Sequence, residues 1–324
     1  MAKVLVTHSL PGSRFWELAE ECEVNVWMGP GLLSPEALRE ELVGCDGVLC
    51  MLTDRIDTTL LDANPQLRFI SSMSVGVDHI DVTAASERNI PVGNTPGVLV
   101  ETTADASFAL LLASARRLVE ADRFVRGGHW RKENAWSPDF FVGKDVAGAT
   151  LGIVGLGAVG QAIARRASGF GMHVLGWNRS PREIAGVQAL DLDELLSESD
   201  FVCICVALNE ETRGLIDARR LGLMKSDAVL INTARGGIVD EAALAEALSR
   251  GRLGAAGLDV FEREPVPPDH PLLSLPNVVA TPHIGSATLA TREKMADMAV
   301  INTLAALAGE RMPSCANPGC YESS

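Results

Sequence analysis

Positive charge is in short supply. The 324 residues carry 28 Lys and Arg against 42 Asp and Glu, a formal net charge of −14 at pH 7. A chain this acidic lacks the basic face that gives affinity for nucleic acid. It is also poorly suited to an anionic membrane surface. No apolar run reaches the ~18–20 residues of a transmembrane helix. No small-residue cleavage site follows a longer apolar run, so Met1 to Val6 reads as a first strand rather than a signal peptide. None of the seven cysteines forms a Cys-x-x-Cys pair, which argues against a zinc ribbon or a thioredoxin-type motif, and no metal site is expected. Scattered and odd in number, the thiols read as small reduced hydrophobes of a cytoplasmic protein. Cys203 and Cys205 should share one face of a buried strand, while Cys315 and Cys320 should be the most exposed.

What the chain does have is core. Hydrophobic residues make up 47% of it, and at roughly 150 residues per domain the length suggests two domains. Short apolar runs alternate with helix-like stretches from the start. Strands are expected at residues 4–6, 48–52, 67–71 and 90–92. Ser34-Pro35-Glu36 reads as a helix start, with Ser34 as N-cap and Pro35 at the first helical position. Residues 104–126 read as one long buried helix. A second series follows, with strands at 151–154, 174–177, 201–206, 229–232, 256–259 and 278–281, helices such as 158–169 and 241–249, and a last helix over 286–308. Alternation of this kind predicts parallel βαβ units with right-handed crossovers.

Gly155-Leu156-Gly157-Ala158-Val159-Gly160 is a G-x-G-x-x-G pattern that directly follows an apolar strand and opens a helix. That context marks dinucleotide binding: Gly155 for the turn, Gly157 for approach of the pyrophosphate, Gly160 for helix–strand packing. About 20 residues on, an NAD site places a carboxylate for the ribose 2′-OH. Here the sequence is Asn178-Arg179-Ser180. A missing carboxylate followed by a guanidinium and a hydroxyl favours NADP(H), with NAD(H) still usable.

Three further segments end strands of the second series: Asn232-Thr233-Ala234-Arg235-Gly236-Gly237, Leu258-Asp259-Val260-Phe261-Glu262-Arg263-Glu264-Pro265, and Pro282-His283-Ile284-Gly285-Ser286. Hydride transfer to a carbonyl needs a cation, an acid and a group that tunes the acid. With the glycine loop, these ordered motifs resemble those of the D-isomer-specific 2-hydroxyacid dehydrogenases along essentially the whole chain. Leu49 to Asp54, Pro282 to Thr288 and Gly309 to Ser314 look like the glyoxylate/hydroxypyruvate reductase branch.

The resemblance implies roles. Arg235 matches the bidentate clamp on the substrate carboxylate and keto oxygen, His283 the acid/base, and Glu264 the carboxylate paired with it. Glu262, two residues away, competes with Glu264 on spacing alone. Val75 and Gly76 match a turn whose N–H groups hold the carboxylate, and Asp259 the residue that positions the nicotinamide carboxamide. Expected cofactor contacts are Gly155, Gly157, Ala158, Val159, Gly160, Asn178, Arg179, Ser180, Val206, Thr233, Asp259, His283 and Gly285. Ser286 and Phe140 join the substrate contacts. Phe140 stands where the branch has a tryptophan, which keeps an apolar cap but loses the indole donor. Among the other histidines, His79 adjoins the substrate turn.

The implied fold is α/β, two doubly wound parallel-sheet domains of Rossmann and flavodoxin-like type. The substrate domain is discontinuous, residues 1–100 plus 286–324, around a cofactor domain at 101–285. The implied activity is NADPH-dependent reduction of glyoxylate and hydroxypyruvate by a homodimer acting on small 2-keto or 2-hydroxy acids. A phosphoglycerate dehydrogenase would want a basic cluster that the 50–55 and 72–79 loops do not offer. A formate dehydrogenase would want additional polar site residues. A non-enzymatic alternative is an NADH-sensing corepressor-like module, which oxidation of NADPH by glyoxylate would exclude.

Overall fold

Strand-forming segments here are short, β-branched or leucine-rich, and bounded by turn residues, as buried parallel strands require. The computed structural model describes residues 1–322. In it the chain divides into two compact units, Met1–Leu99 with the described part of Ala287–Ser324, and Val100–Ser286.

The first unit contains β1 (Lys3–Val6), β2 (Glu23–Val26), β3 (Gly47–Cys50), β4 (Phe69–Ser72) and β5 (Val92–Gly93). They pair in parallel in the order β2-β1-β3-β4-β5, which is the flavodoxin-like order. The second unit contains β6 (Thr150–Val154), β7 (His173–Trp177), β8 (Gln188–Ala189), β9 (Phe201–Ile204), β10 (Val229–Asn232), β11 (Ala255–Leu258) and β12 (Val278–Ala280). Their order, β12-β11-β10-β9-β6-β7-β8, is the doubly wound dinucleotide-binding order extended by one strand. The winding reverses between β6 and β9, and ligands of such sheets bind at that point.

Local signals place several helices. Ser34 Oγ accepts the Ala37 N–H at 3.1 Å and Pro35 is the first helical residue. The last helix runs Leu289–Leu307 rather than 286–308, because Thr288 caps it by accepting from Thr291 N. The expected single helix over 104–126 is instead two, Val100–Ala115 and Leu118–Arg126. Arg117 between them is left-handed at φ 53°, and its guanidinium folds forward onto Glu120 at 2.7 and 2.9 Å. Lys144 N–H takes the Ala115 carbonyl at 2.8 Å, which closes the end of the first helix.

All seven cysteines are unpaired thiols. Cys320 is buried and Cys315 half-buried, against the expectation that both would be exposed. The reason is that the segment after the last helix folds back onto β5. Gly93 pairs antiparallel with Cys315, and Ala316 N–H donates to Val92 O at 2.7 Å. Asn317 Oδ1 accepts the Val92 N–H at 2.8 Å, while its Nδ2 donates to Ser86 Oγ and Ile90 O, both at 3.0 Å. Among the described residues no helix is long and apolar enough to cross a membrane.

Asn317→Ala leaves the buried Val92 N–H without its acceptor. It should lower stability by about 1–3 kcal/mol, read as a shift of the urea-unfolding midpoint, and Asn317→Asp, which keeps the acceptor, should recover part of that. An unmoved midpoint in the alanine variant would mean that this pairing does not stabilise the first unit.

Candidate active site

The glycine turn leaves β6 at the reversal point of the second sheet. Gly155 has φ +107°, and a Cβ there would sit 2.8 Å from the Cys205 carbonyl at the end of β9. Val206, the next residue, closes on the same turn. At Gly160 a Cβ would meet Gly155 O at 2.1 Å, so the helix Ala158–Ser168 packs directly over the turn. Gly157 is the N-cap of that helix, offers no side-chain cap, and opens onto free space. Uncapped amides at the positive end of a helix, behind a residue without a side chain, suit a pyrophosphate. The residues therefore fit a dinucleotide.

Beyond β7, Asn178 Oδ1 accepts the Leu156 N–H at 3.2 Å and Nδ2 donates to Ser180 O at 2.7 Å. Asn178 thus braces the glycine turn itself. The Arg179 guanidinium pairs with Glu211, and the two side chains are 69% and 65% exposed. Thr233 Oγ1 lies 2.6 Å from Ser107 Oγ.

Arg235, Asp259 to Glu264, and His283 follow the adjacent strands β10, β11 and β12, so sheet order brings the three motifs together. Asn232 shapes the first turn, its Oδ1 accepting Ala234 N–H at 3.0 Å and its Nδ2 donating to Arg235 O at 2.8 Å. Half-buried Arg235 has an Nη1 that donates to Ala234 O at 2.8 Å. Gly236 has no room for a side chain, because a Cβ would lie 1.9 Å from the Phe261 carbonyl carbon. The Arg235 turn therefore rests on the loop that carries Glu264.

That loop is tied twice. Phe261 N–H donates to Glu264 Oε1 at 2.9 Å, and Glu262 N–H donates to Glu241 Oε1 at 2.6 Å. Glu241 Oε2 in turn meets His270 Nε2 at 3.2 Å. The structure separates the two candidate glutamates: Glu264 Oε2 lies 2.6 Å from His283 Nδ1. Burial pushes the Glu264 carboxyl up. The His283 hydrogen bond and charge, the Phe261 N–H and the Arg235 cation outweigh this and hold it below its ordinary 4.5.

His283 is left-handed at φ 55°. Such a backbone costs about 1–3 kcal/mol and persists where its surroundings over-determine it. Asp259 does so here. It is 1% exposed, and its Oδ1 accepts Thr281 Oγ1 at 2.6 Å and Ile284 N–H at 2.8 Å. Its Oδ2 accepts Gly285 N–H at 2.7 Å, and its backbone oxygen takes His283 N–H at 2.9 Å. Sequence reasoning assigned Asp259 to a ligand and missed this clamp, as it missed Glu241, His270 and Glu211. Gly285 and Ser286 are both buried. Phe140 sits in an aromatic cluster, 5.6 Å from Phe124 and 4.8 Å from Phe141 between ring centroids.

In the first unit, the turn at Val75 and Gly76 follows β4. Ser74 Oγ donates to Gly76 O at 2.7 Å and lies 2.7 Å from Ser72 Oγ, which is 3.1 Å from His79 Nε2. Among the described residues no cluster of three or more His, Cys, Asp or Glu could hold a metal ion.

Residues 108–285 match the family model described as the NAD binding domain of D-isomer specific 2-hydroxyacid dehydrogenases. A glyoxylate reductase of Korarchaeum cryptofilum is 47% identical over 319 residues, covering 97% of this chain and 96% of that protein. A crystal structure of a Thermus thermophilus protein superposes with a TM-score of 0.90 at 48% identity, covering 97% of this chain and 99% of the other. An NADPH-dependent glyoxylate/hydroxypyruvate reductase of Sinorhizobium meliloti, solved with NADP and malonate, gives a TM-score of 0.85 at 34% identity, covering 98% and 97%.

The lowered Glu264 carboxyl has a stability consequence of fixed sign. A folded-state pKa below the ordinary 4.5 stabilises the protein fully above that pH, and the contribution is lost as pH falls through the lowered value. The melting-temperature gap between the parent and Glu264→Gln should therefore be present at pH 6 and close on acidification below about pH 4.5. A gap that widens there would contradict the geometry.

Proposed function

The chain belongs to the D-isomer specific 2-hydroxyacid dehydrogenases, and on that premise we propose that it is an NADPH-preferring 2-keto acid reductase. Its substrates are glyoxylate, reduced to glycolate, and hydroxypyruvate, reduced to D-glycerate, with NAD(H) as the poorer cofactor. The observation that carries the reading is the 2.6 Å contact of His283 Nδ1 with Glu264 Oε2, on the loop against which the Arg235 turn rests.

The division of labour follows from the atoms. Glu264 holds Nδ1, so Nε2 is the nitrogen left to give a proton to the carbonyl oxygen. That contact fixes the tautomer and orientation of the ring. Arg235 presents a planar fork that grips carboxylate and keto oxygen together and polarises the carbonyl. The glycine turn would hold the pyrophosphate of a nicotinamide dinucleotide, which would supply the hydride. Asp259 keeps His283 in place and, with Thr233, Gly285 and Val206, is proposed to face the cofactor. Val75 and Gly76 N–H groups hold the substrate carboxylate, Ser286 adds a contact, and Phe140 covers it with an apolar ring. Residues 1–100 with 286–324 form the substrate domain, and 101–285 the cofactor domain.

We also place the protein in the cytoplasm as a homodimer formed through the region near 100–150. Leu118, Val125, Trp130, Trp136 and Val142 are all exposed there, a concentration of apolar side chains that suits a covered face.

The cofactor preference turns on a comparison of magnitudes. An exposed ion pair such as Arg179–Glu211 is worth at most about 1 kcal/mol. A 2′-phosphate brings close to two negative charges and strong acceptors, and so displaces Glu211. Losing the pair costs less than the phosphate contacts gain, so the exchange on balance favours NADPH, consistent with the Sinorhizobium reductase, which is NADPH-dependent.

Steady-state kinetics with a panel of 2-keto acids and both reduced cofactors tests the whole reading. His283→Ala should lower kcat by about 10²–10⁴ with cofactor affinity nearly unchanged. Arg235→Lys should fail badly in both kcat and KM, because a point charge does not reproduce the fork. Near-parental activity in the lysine variant would refute the bidentate grip. For the cofactor, kcat/KM should favour NADPH, more so in Glu211→Gln, and the combination Asn178→Asp with Arg179→Ala should reverse it at constant ionic strength. An NADH preference in the parent would sink that part of the proposal.

A further inference from the structure

The segment after the last helix reaches the substrate turn through one side chain. Asn94 Nδ2 donates to Val75 O at 3.0 Å. A carbonyl can only accept, so the amide nitrogen of Asn94 must face it, which turns Oδ1 the other way. There Ser314 Oγ donates to Oδ1 at 2.8 Å. Asn302, fully buried on the helix Leu289–Leu307, holds both partners: its Nδ2 donates to Asn94 O at 3.0 Å and its Oδ1 accepts Ser314 N–H at 3.1 Å. The antiparallel pairing of Cys315 with Gly93 delivers Ser314 to this position.

The Val75 carbonyl and the Gly76 N–H belong to one planar peptide unit and point in opposite directions. Pinning the carbonyl onto Asn94 therefore aims the Gly76 N–H away from Asn94. A carbonyl that accepts a hydrogen bond also polarises its own amide and makes the N–H a better donor. The next peptide is pinned by Ser74 Oγ at Gly76 O, so two successive units of the turn are fixed by side chains.

We propose that Asn94 and Ser314 are positioning residues for carboxylate recognition, through which the chain beyond the last helix sets affinity for the 2-keto acid. This rests on the reading that the Val75–Gly76 turn holds the substrate carboxylate. Asn94→Ala removes the donor, Asn94→Asp keeps the acceptor for Ser314 but turns an oxygen toward the Val75 carbonyl, and Ser314→Ala loosens Asn94 alone.

The experiment uses the full chain. KM and kcat for glyoxylate, the inhibition constant of oxalate as a non-reacting carboxylate, and the NADPH dissociation constant are measured in each variant. Asn94→Ala and Asn94→Asp should raise KM and the oxalate constant about 10-fold, with kcat within about 3-fold and NADPH affinity unchanged. Ser314→Ala should move both in the same direction by less. Parental values in both Asn94 variants overturn the proposal, as does a loss of NADPH affinity in step with KM, which marks general loosening. The Gly76 amide resonance, followed in ¹⁵N-glycine-labelled protein on adding oxalate, separates the two layers. If it stays fixed in the parent, the turn is not the carboxylate site and the proposal falls with it. If it moves alike in parent and Asn94→Ala at an unchanged oxalate constant, the turn stands and the role of Asn94 alone is overturned.

Discussion

The buried carboxylate of Asp259 sets the geometry of the catalytic end of the second unit. It receives a hydroxyl and two backbone N–H groups from residues 281–285 and so holds His283 in a left-handed backbone that few non-glycine residues adopt. A bare buried carboxylate is costly to desolvate, and the three donors offset that cost while fixing the loop. His283 Nδ1 is then met by Glu264, itself placed by the Phe261 amide. One residue further on, Glu241, itself met by His270, accepts the neighbouring amide. Two carboxylates accepting from successive N–H groups leave this loop little freedom to re-aim the one that faces His283.

Sheet order supplies what side chains cannot. In a parallel sheet all strands end on the same edge, so motifs far apart in sequence become neighbours when their strands do. β10, β11 and β12 are consecutive both in the chain and in the sheet, and each ends in one piece of the acid–base and clamp machinery. The glycine turn belongs to β6, two strands from β10, at the reversal of winding. Gly236 records how closely the pieces pack, since a single methyl group there would overlap the Phe261 backbone. The first unit repeats the logic on its own five-stranded sheet, where β4 ends in the Ser74–Gly76 turn and β5 runs on to Asn94.

Motif order, the glycine turn and the alternation of strands with helices were legible in the sequence, because each depends on a few residues close together. Gly155, Gly157 and Gly160 announce their turn by lacking side chains, and Ser34-Pro35 announces a helix start by local hydrogen bonding. β2 and β8 escaped notice because Glu23-Val24-Asn25-Val26 and Gln188-Ala189 are edge strands with little apolar content. The break at Arg117 lay inside a stretch that reads as helix throughout, and it depends on Lys144 reaching back to Ala115.

The sequence by itself determined the fold class and the residue types available for chemistry, since hydrophobic period and motif spacing are properties of the chain. Tertiary structure alone decided what the polar side chains face. Asp259 ties its own loop, Asn178 braces the glycine turn and Arg179 pairs with Glu211, contacts that no spacing in the sequence announces. Glu264 rather than Glu262 meets His283, a choice between two like residues that only the path of the loop makes. Asn94 and Ser314 lie 220 positions apart and meet because the segment after the last helix pairs with an edge strand. A hydrogen bond depends on distance and direction in space, and no local pattern encodes either across so long an interval.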